Sequence, residues 1–445
     1  MKRIYRILLL AILIFALHAT PAYANQQAAL NLQQLSLFRG SDKGFELERV
    51  PNRAEASVML IRLLGKEQEA LTANYTHPFT DLIGYESPYV GYLYRYGLTR
   101  GTGAHSFSPR TLCDQYMYCT FVLRALDYNE AYGDFSYWQA DQFASELGLY
   151  QNDGGVFDRG QMAAVSYTAL ATRLKDSELT LLDTLVAAGA VNAEAAAPYQ
   201  QLFAGYDEVT RLFGHMQELN SLEVSISCDI QQGANQRLRV DGELSIAGIK
   251  QAAADPLALQ AALKAAATIS ALYDGRREQI SQPFELYYRN GNIYVKTVEQ
   301  EQELKIMLPM QQMLHELNNI GYELTADENA GAPDLYSALN VIGGGGAPGV
   351  AELRSVEQKH DGSGDYYQLV YYAPDAGGSD IGCRLYYSDG SLNRIVASGS
   401  AAAADGEAAD YELTITLRSL NGGAPQFPAD LNSYINIIDS IIEQQ

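Results

Sequence analysis

The chain is short of cysteine, tryptophan, histidine and positive charge. Its 445 residues hold four cysteines, one tryptophan and six histidines, and 31 basic residues stand against 53 acidic ones. Four cysteines (Cys113, Cys119, Cys228 and Cys383) are too few for the disulfide scaffold of a small secreted domain. None has the C-x-x-C spacing of a zinc or redox site, so no metal site is read and packed thiols are the plain expectation. Cys228 and Cys383 lie in separate strand-like runs and could pair across a sheet. The net charge of −22 excludes broad attraction to nucleic acid or to an anionic lipid surface, both of which need basic patches. Histidines 77, 105, 215, 315 and 360 are scattered, with no H-E-x-x-H pair, and there is no G-x-S-x-G elbow. The glycine run at 343–349 lacks the Gly-Lys-Ser/Thr ending of a phosphate loop. No catalytic residue and no cofactor are therefore assigned, and the expectation is a protein that is not an enzyme. The lone Trp138 is scant material for an extended sugar cleft.

What is present begins with an export leader. Lys2, Arg3 and Arg6 precede the apolar run "ILLLAILIFAL", and "AYA" at 22–24 supplies the small residues of a cleavage site. The expected cut follows Ala24, and loss of Lys2, Arg3 and Arg6 takes the charge from −22 to −25. The apolar run is shorter than the roughly 20 residues of a spanning helix, and no later segment is long and apolar enough to span. An uncleaved leader acting as an anchor is the alternative. With cleavage, the expectation is a secreted protein of the cell wall or cell surface, with no membrane span.

Texture changes near residue 200. The first part has helical periodicity with short glycine turns, and it repeats. "NRAEASVMLIRLL" (52–64), "DQYMYCTFVLRAL" (114–126) and "DRGQMAAVSYTAL" (158–170) superpose with Arg53, Gln115 and Arg159 in register. Asn52, Asp114 and Asp158 precede them, and such side chains accept a bond from an orphan N–H at a helix start. A second helix lies before each: "QQAALNLQQLSLFRG", "SPYVGYLYRYGLTRG" and "SYWQADQFASELGLY". A period of roughly 50 residues indicates units that cannot bury an apolar face alone.

These residues carry a resemblance. Phe79-Thr80-Asp81, then Val90, Leu93 and Leu98, then Gly101 and Phe107-Ser108-Pro109, resemble the S-layer homology module, and Asn52-Arg53-Ala54-Glu55 resembles its Thr-Arg-Ala-Glu signature. The resemblance covers about 28–175 in three copies. It implies an all-α, pseudo-threefold helical bundle whose grooves hold anionic, often pyruvylated, secondary cell-wall polysaccharide. It further implies Arg53 and Arg159 as anion contacts, since an Arg fork suits a carboxylate. It implies Asp81 as organiser of the groove, Gly101 as its turn, and Glu55 as part of the signature. Tyr85 stands where the family has Trp, and Gln115 replaces the Arg of the middle copy. Read from the residues alone, Asn52 to Glu55 is a helix cap with first-turn charges.

The second part opens on a helix, "APYQQLFAGYDEVTRLFGHMQEL" (197–219), and then alternates as strands do. Asn290-Gly291 and Asp389-Gly390 are two-residue hairpin signals. "PLALQAALKAAATISALYD" (256–274) reads as a further helix, with a strand reading open for its latter part. "MLPMQQMLHELNNIG" (307–321) and "DLNSYINIIDSIIEQ" (430–444) read as helices. This α+β order, a curved antiparallel sheet wrapped on helices, is similar to the lipoprotein-carrier-like half-barrel domains of Gram-positive secreted proteins. That resemblance implies a concave apolar face for a hydrophobic or lipid ligand, with Met307, Met310 and Met313 beside it; packed core is the plainer reading of the same methionines.

The expected organisation is a leader at 1–24, repeats at 25–76, 77–132 and 133–176, a helical connector at 177–200 and a half-barrel domain at 201–445. The expected function is non-enzymatic: tethering to wall polysaccharide, with a second domain for a hydrophobic ligand. The alternatives are a wall-remodelling hydrolase with an unrecognised catalytic domain, or a structural coat component without ligand.

Overall fold

The fold is that of a computed structural model. It describes residues 21–437, apart from residues 41, 151–154, 215–218, 234, 253–254, 274–275, 300, 311, 313–348, 372–380 and 403–407. The described chain divides into two compact units. One is helical and comprises His18–Ala204 with Pro348–Leu353; the other comprises Gly205–Ala347 with Arg354–Gln445 and is built on a sheet.

The helical unit runs α1 (Pro21–Gln34), α2 (Arg53–Leu63), α3 (Glu67–Ala73), α4 (Glu86–Arg95), α5 (Gln115–Ala125), α6 (Ala140–Glu146), α7 (Arg159–Ala171) and α8 (Leu181–Ala187), and the division from the second unit falls within α9 (Ala193–Gly214). The three helices expected to open alike are α2, α5 and α7, and each starts at the expected residue. Their apolar faces form the core: Leu60, Ile61, Phe121, Val122, Leu123, Met162 and Tyr167 are buried. The expected connector is interrupted. Gly189 takes a left-handed φ of +71° after α8, and Asn192 then accepts from the Glu194 and Ala195 N–H groups to begin α9.

The sheet unit holds twelve strands in the order β12-β6-β5-β4-β3-β2-β1-β11-β10-β9-β8-β7. Strands β1 (Ser221–Gln232), β2 (Gln236–Ala247), β3 (Gln260–Tyr273), β4 (Arg276–Arg289), β5 (Asn292–Glu299) and β6 (Gln302–Pro309) form one meander. Strands β7 (Leu353–Asp361), β8 (Gly364–Tyr371), β9 (Ile381–Ser388), β10 (Ser391–Ala402) and β11 (Ala408–Leu420) form a second, joined to the first by β11 against β1. Strand β12 (Ile435–Asn436) runs parallel to β6. Both expected two-residue hairpins are present: Asn290 and Gly291 have φ of +51° and +73°, Asp389 and Gly390 +51° and +71°. The end of α9 lies on this unit. Val209, Leu212 and Phe213 are buried, and Gly205 approaches Val356 of β7 so closely that a Cβ would stand 2.8 Å from its side chain.

Four expectations are corrected here. Residues 260–273 are strand β3, because full-length pairing with both β2 and β4 overrides the helix preference of an Ala-rich run. Met307 belongs to β6, paired with Tyr294, so it starts no helix; Met313 lies outside the described residues. Cys228 and Cys383 cannot pair: β1 and β9 are separated by β11 and β10, which puts the two roughly 14 Å apart at 4.8 Å per strand, beyond disulfide reach. All four cysteines are buried and free. Of the expected C-terminal helix, Leu431–Ser433 is a short 3₁₀ turn followed by β12, and residues 438–445 lie outside the described residues.

Gly101 tests the packing of the second repeat. Its φ is +76°, and a Cβ would come within 2.3 Å of the Phe79 ring and 2.7 Å of the Ser106 carbonyl oxygen. Gly84 has a similar φ of +64° with nothing within 4 Å. Gly101→Ala should therefore destabilise the helices by roughly 2 kcal/mol or more, and Gly84→Ala by only about 1 kcal/mol. Denaturant unfolding followed by circular dichroism measures the difference.

Candidate functional site

The first N–H groups of a helix have no partner inside that helix. In this chain the side chain before each repeat helix accepts one: Asn52 from Glu55 at 3.0 Å, Asp114 from Met117 at 2.8 Å and Asp158 from Gln161 at 2.8 Å. Two more are taken by a neighbouring repeat. The Arg53 and Ala54 N–H groups donate to the carbonyls of Thr111 and Pro109 at 2.9 and 3.1 Å. The Arg159 and Gly160 N–H groups donate to the carbonyls of Arg49 and Leu47 at 3.0 and 2.9 Å. The loop of the second repeat thus closes the helix start of the first, and the loop of the first closes that of the third.

The expected organiser, Asp81, holds one of these loops. Its carboxylate accepts from the Phe107 N–H at 2.9 Å and the Ser108 N–H at 2.8 Å. Burial pushes its pKa up, but these two N–H bonds outweigh that and hold it below the usual carboxylate range. Ser108 and Glu46 occupy equivalent places in the two loops, and both have positive φ, +60° and +51°. Gly101 lies in the same place, its N–H 3.3 Å from the Thr99 hydroxyl.

Arg53 projects into this loop. It is 7% exposed, with its guanidinium carbon 4.7 Å from the Phe107 ring centre and 5.3 Å from that of Phe121. Its Nη2 donates to the Thr99 hydroxyl at a long 3.4 Å, and its Nε is enclosed with no partner. Arg159 is 9% exposed, donates from Nε to the Phe45 carbonyl at 2.9 Å, and lies 5.6 Å from the Phe38 ring centre. Burial lowers the pKa of both. Among the described residues no carboxylate stands within ion-pair distance of either, in a chain with an excess of acid. Acids act on both from beyond ion-pair distance, Asp114 on Arg53 and Glu55 with Glu46 on Arg159, and burial outweighs them.

The other expected residues lie elsewhere. Glu55 closes a capping box with Asn52 and takes a two-pronged bond from Arg49, at 3.0 and 2.7 Å. Burial would raise its pKa, but Arg49 and the Asn52 N–H bring it below the usual range. Tyr85 is exposed beside Arg110, whose guanidinium pairs with the buried Glu86. Gln115, half-buried, is the first residue of α5 in the second repeat. The residues therefore form three groups: Arg53 with Asp81 and Gly101; Arg159 near Glu55; and Tyr85 with Arg110.

Sequence reasoning missed the aromatic rings beside Arg53. Tyr137 lies close enough for Arg53 to act on its pKa, which burial raises. Trp138 is 75% exposed and stacks edge-on to Tyr137 and Tyr116, with ring centres 5.0 and 5.9 Å apart. A lone tryptophan looked insufficient; two tyrosines make it part of an aromatic cluster. The available signal was position, since the Tyr-Trp pair precedes Gly148-Leu149 much as Tyr85 precedes Gly97-Leu98.

One pair has the elements of catalysis. His77 Nε2 and Ser87 Oγ are 2.8 Å apart. The His77 Nδ1 accepts the Phe79 N–H at 3.2 Å, so the ring proton resides on Nε2 and is donated to Ser87. A general base requires the reverse.

The sheet unit offers a second candidate surface. Side chains alternate across the ladder, so Leu238, Val240 and Leu244 of β2 share a face with Leu263 and Ala267 of β3, Phe284 and Leu286 of β4, Val295 of β5 and Ile306 of β6. The opposite face carries Arg239, Asp241, Glu243 and Lys264. Toward β1 the apolar face is buried, at Leu222 and Val224, and near Ile246 it is covered by α10 (Ile249–Ala252). From β2 to β6 it stays half-exposed. An extended apolar surface only partly withdrawn from water is a place for a hydrophobic partner.

No protein-family model matches the chain, and no curated protein matches it. Solved structures similar to it include the S-type phycobiliprotein lyase CPES of Guillardia theta, at 8% identity and a TM-score of 0.17, covering 49% of this chain and 97% of that one. The LolA superfamily protein NE2245 of Nitrosomonas europaea matches at 10% identity and a TM-score of 0.16, covering 49% and 94%. A DUF1329 family protein of Desulfovibrio piger matches at 12% identity and a TM-score of 0.17, covering 52% and 97%.

If the guanidinium of Arg53 is an unpaired cation kept for a ligand, its removal should not weaken the fold. Arg53→Met keeps the contact with both rings and removes the charge. The variant should be as stable as the parent, or more stable by up to about 2 kcal/mol. A thermal melt showing a loss of more than about 2 kcal/mol would make Arg53 a structural residue.

Proposed function

We propose that this chain is a secreted, non-enzymatic protein of the cell envelope, tethered through its helical repeats to an anionic wall polysaccharide. The observation that carries this reading is the burial of Arg53, against the Phe107 and Phe121 rings, with no ion pair among the described residues; Arg159, against the Phe38 ring, has none either, though Glu55 and Glu46 act on it from farther away. A carboxylate on the polymer, such as a pyruvyl ketal, supplies the missing counter-charge, and the Tyr116, Tyr137 and Trp138 rings cover a sugar face. The S-layer homology resemblance supports the reading through its motifs and through the recurring helix starts. On this reading the three repeats close around one pseudo-threefold axis.

The sheet unit carries a hydrophobic or acyl ligand against the apolar face of β2 to β6. The half-exposed side chains there support this, and so does the lipoprotein-carrier-like order of strands and helix. The orientation of the His77–Ser87 proton speaks against hydrolysis at that pair.

Co-sedimentation of the full chain with isolated cell wall tests the tether. Hydrogen bonds to a charged partner contribute about 1.5–3 kcal/mol each, so Arg53→Ala with Arg159→Ala should weaken binding by roughly 100-fold or more. Binding at the parent level would remove both arginines from the site. Organic extraction of the purified chain should release an apolar ligand, and a chain that yields none and takes up no fatty-acid probe would remove the carrier role.

A further inference from the structure

Three tyrosines and one carboxylate meet between α3 and α4. Asn74 ends α3 with a φ of +45°, and Tyr75 follows it onto α4. There the Tyr75 carbonyl oxygen lies so near Gly91 that a Cβ would stand 2.3 Å from it. Tyr96 caps the other end of α4. The Tyr75 and Tyr96 hydroxyls both donate to Oε1 of Glu69, at 3.0 and 2.9 Å. With both protons given to Glu69, the two phenol oxygens face each other 3.3 Å apart with no proton between them. Their ring centres are 5.8 Å apart, edge to face, and Tyr92 lies 4.4 Å from Tyr96. Tyr96 is 52% exposed, Tyr75 is half-buried and Tyr92 is buried. The Tyr96 hydroxyl, helped by Tyr75 and Lys66 and opposed by slight burial, holds the Glu69 carboxyl below the usual carboxylate range, so it is ionised at neutral pH. Two hydroxyls on one exposed oxygen add little to stability, because water supplies equivalent bonds.

We propose that Tyr75 and Tyr96 are an oxidative modification site, at which a haem peroxidase using hydrogen peroxide joins the two rings by a carbon–carbon bond. Each phenol gives one electron to the peroxidase, and its hydroxyl proton passes to Glu69 and on to water. The two phenoxyl radicals couple through ring carbons next to their oxygens. Each joined carbon then releases its proton, each oxygen regains one, and both rings are aromatic again. The pair has lost two hydrogen atoms in all, and one hydrogen peroxide has become two waters. In the product the two hydroxyls face each other, as they already do here. The four cysteines are buried and free, so this link would be a covalent tie that the thiols do not supply, joining the chain after α3 to the end of α4. The modification rests on neither the tethering nor the carrier reading.

Treatment of the leaderless full chain with a haem peroxidase and hydrogen peroxide, followed by peptide mapping, tests the site. The expected product is a pair of peptides joined at Tyr75 and Tyr96, two hydrogens lighter than its parts, with the blue fluorescence of a biphenol. Tyr75→Phe and Tyr96→Phe should each abolish that pair, and Glu69→Gln, which removes the proton acceptor, should slow its formation by about tenfold or more. Tyr132, 82% exposed, reports that the oxidant is active and should be oxidised in every variant. In denaturant the Tyr75–Tyr96 pair should be lost although both rings are then exposed, a readout that does not depend on any variant folding. A native chain whose Tyr132 is oxidised while no Tyr75–Tyr96 pair forms overturns the proposal, and so does an equal yield of the pair in denaturant. An unchanged rate in Glu69→Gln removes Glu69 from the proton path.

Discussion

A helix cannot satisfy its own first N–H groups, and in this protein that constraint organises the helical unit. At α2 and α7 the orphan donors are shared between a side chain of the preceding residue and two carbonyls of another repeat. The loop that supplies those carbonyls must be held in a left-handed kink at Ser108 or Glu46. Asp81 does so for the first of them through backbone N–H bonds. Arg53 and Arg159 occupy the first helical position, where side chains lean back beyond the helix start. Cross-repeat closure therefore delivers each guanidinium against an aromatic ring, where the described residues give it no ion pair.

Much of the helical unit was legible because caps are local. Asn52, Asp114 and Asp158 announce their helices by chemistry that acts within three residues. The Asn290-Gly291 and Asp389-Gly390 turns were equally plain, since few other pairs accept two positive φ angles. What escaped depends on distant pairing. The alanines of β3 favour helix in isolation and become strand only because β2 and β4 flank them. Strand order, which separates Cys228 from Cys383, is set by β11 returning to β1 across the whole unit. For the site, the arginines were visible as a repeat, but their burial was not. Trp138 was undervalued because Tyr116 reaches it only in the fold.

The two units leave different things unsatisfied. The helical unit buries two arginines without an ion pair among the described residues, and the sheet unit leaves an apolar face half in water from β2 to β6. Either one costs stability in the free protein and is offset when a complementary ligand binds. On the proposed reading a carboxylated sugar answers the first and an acyl chain the second.

The central claim is that the enclosed Arg53 Nε waits for an anion. Nuclear magnetic resonance on the full chain, labelled at arginine, can follow the Arg53 Nε–H signal while carboxylate-bearing wall fragments are added. The account predicts a saturable shift of that signal, absent when the fragments' carboxylates are esterified. A signal unmoved by fragments that nonetheless bind the protein would contradict it.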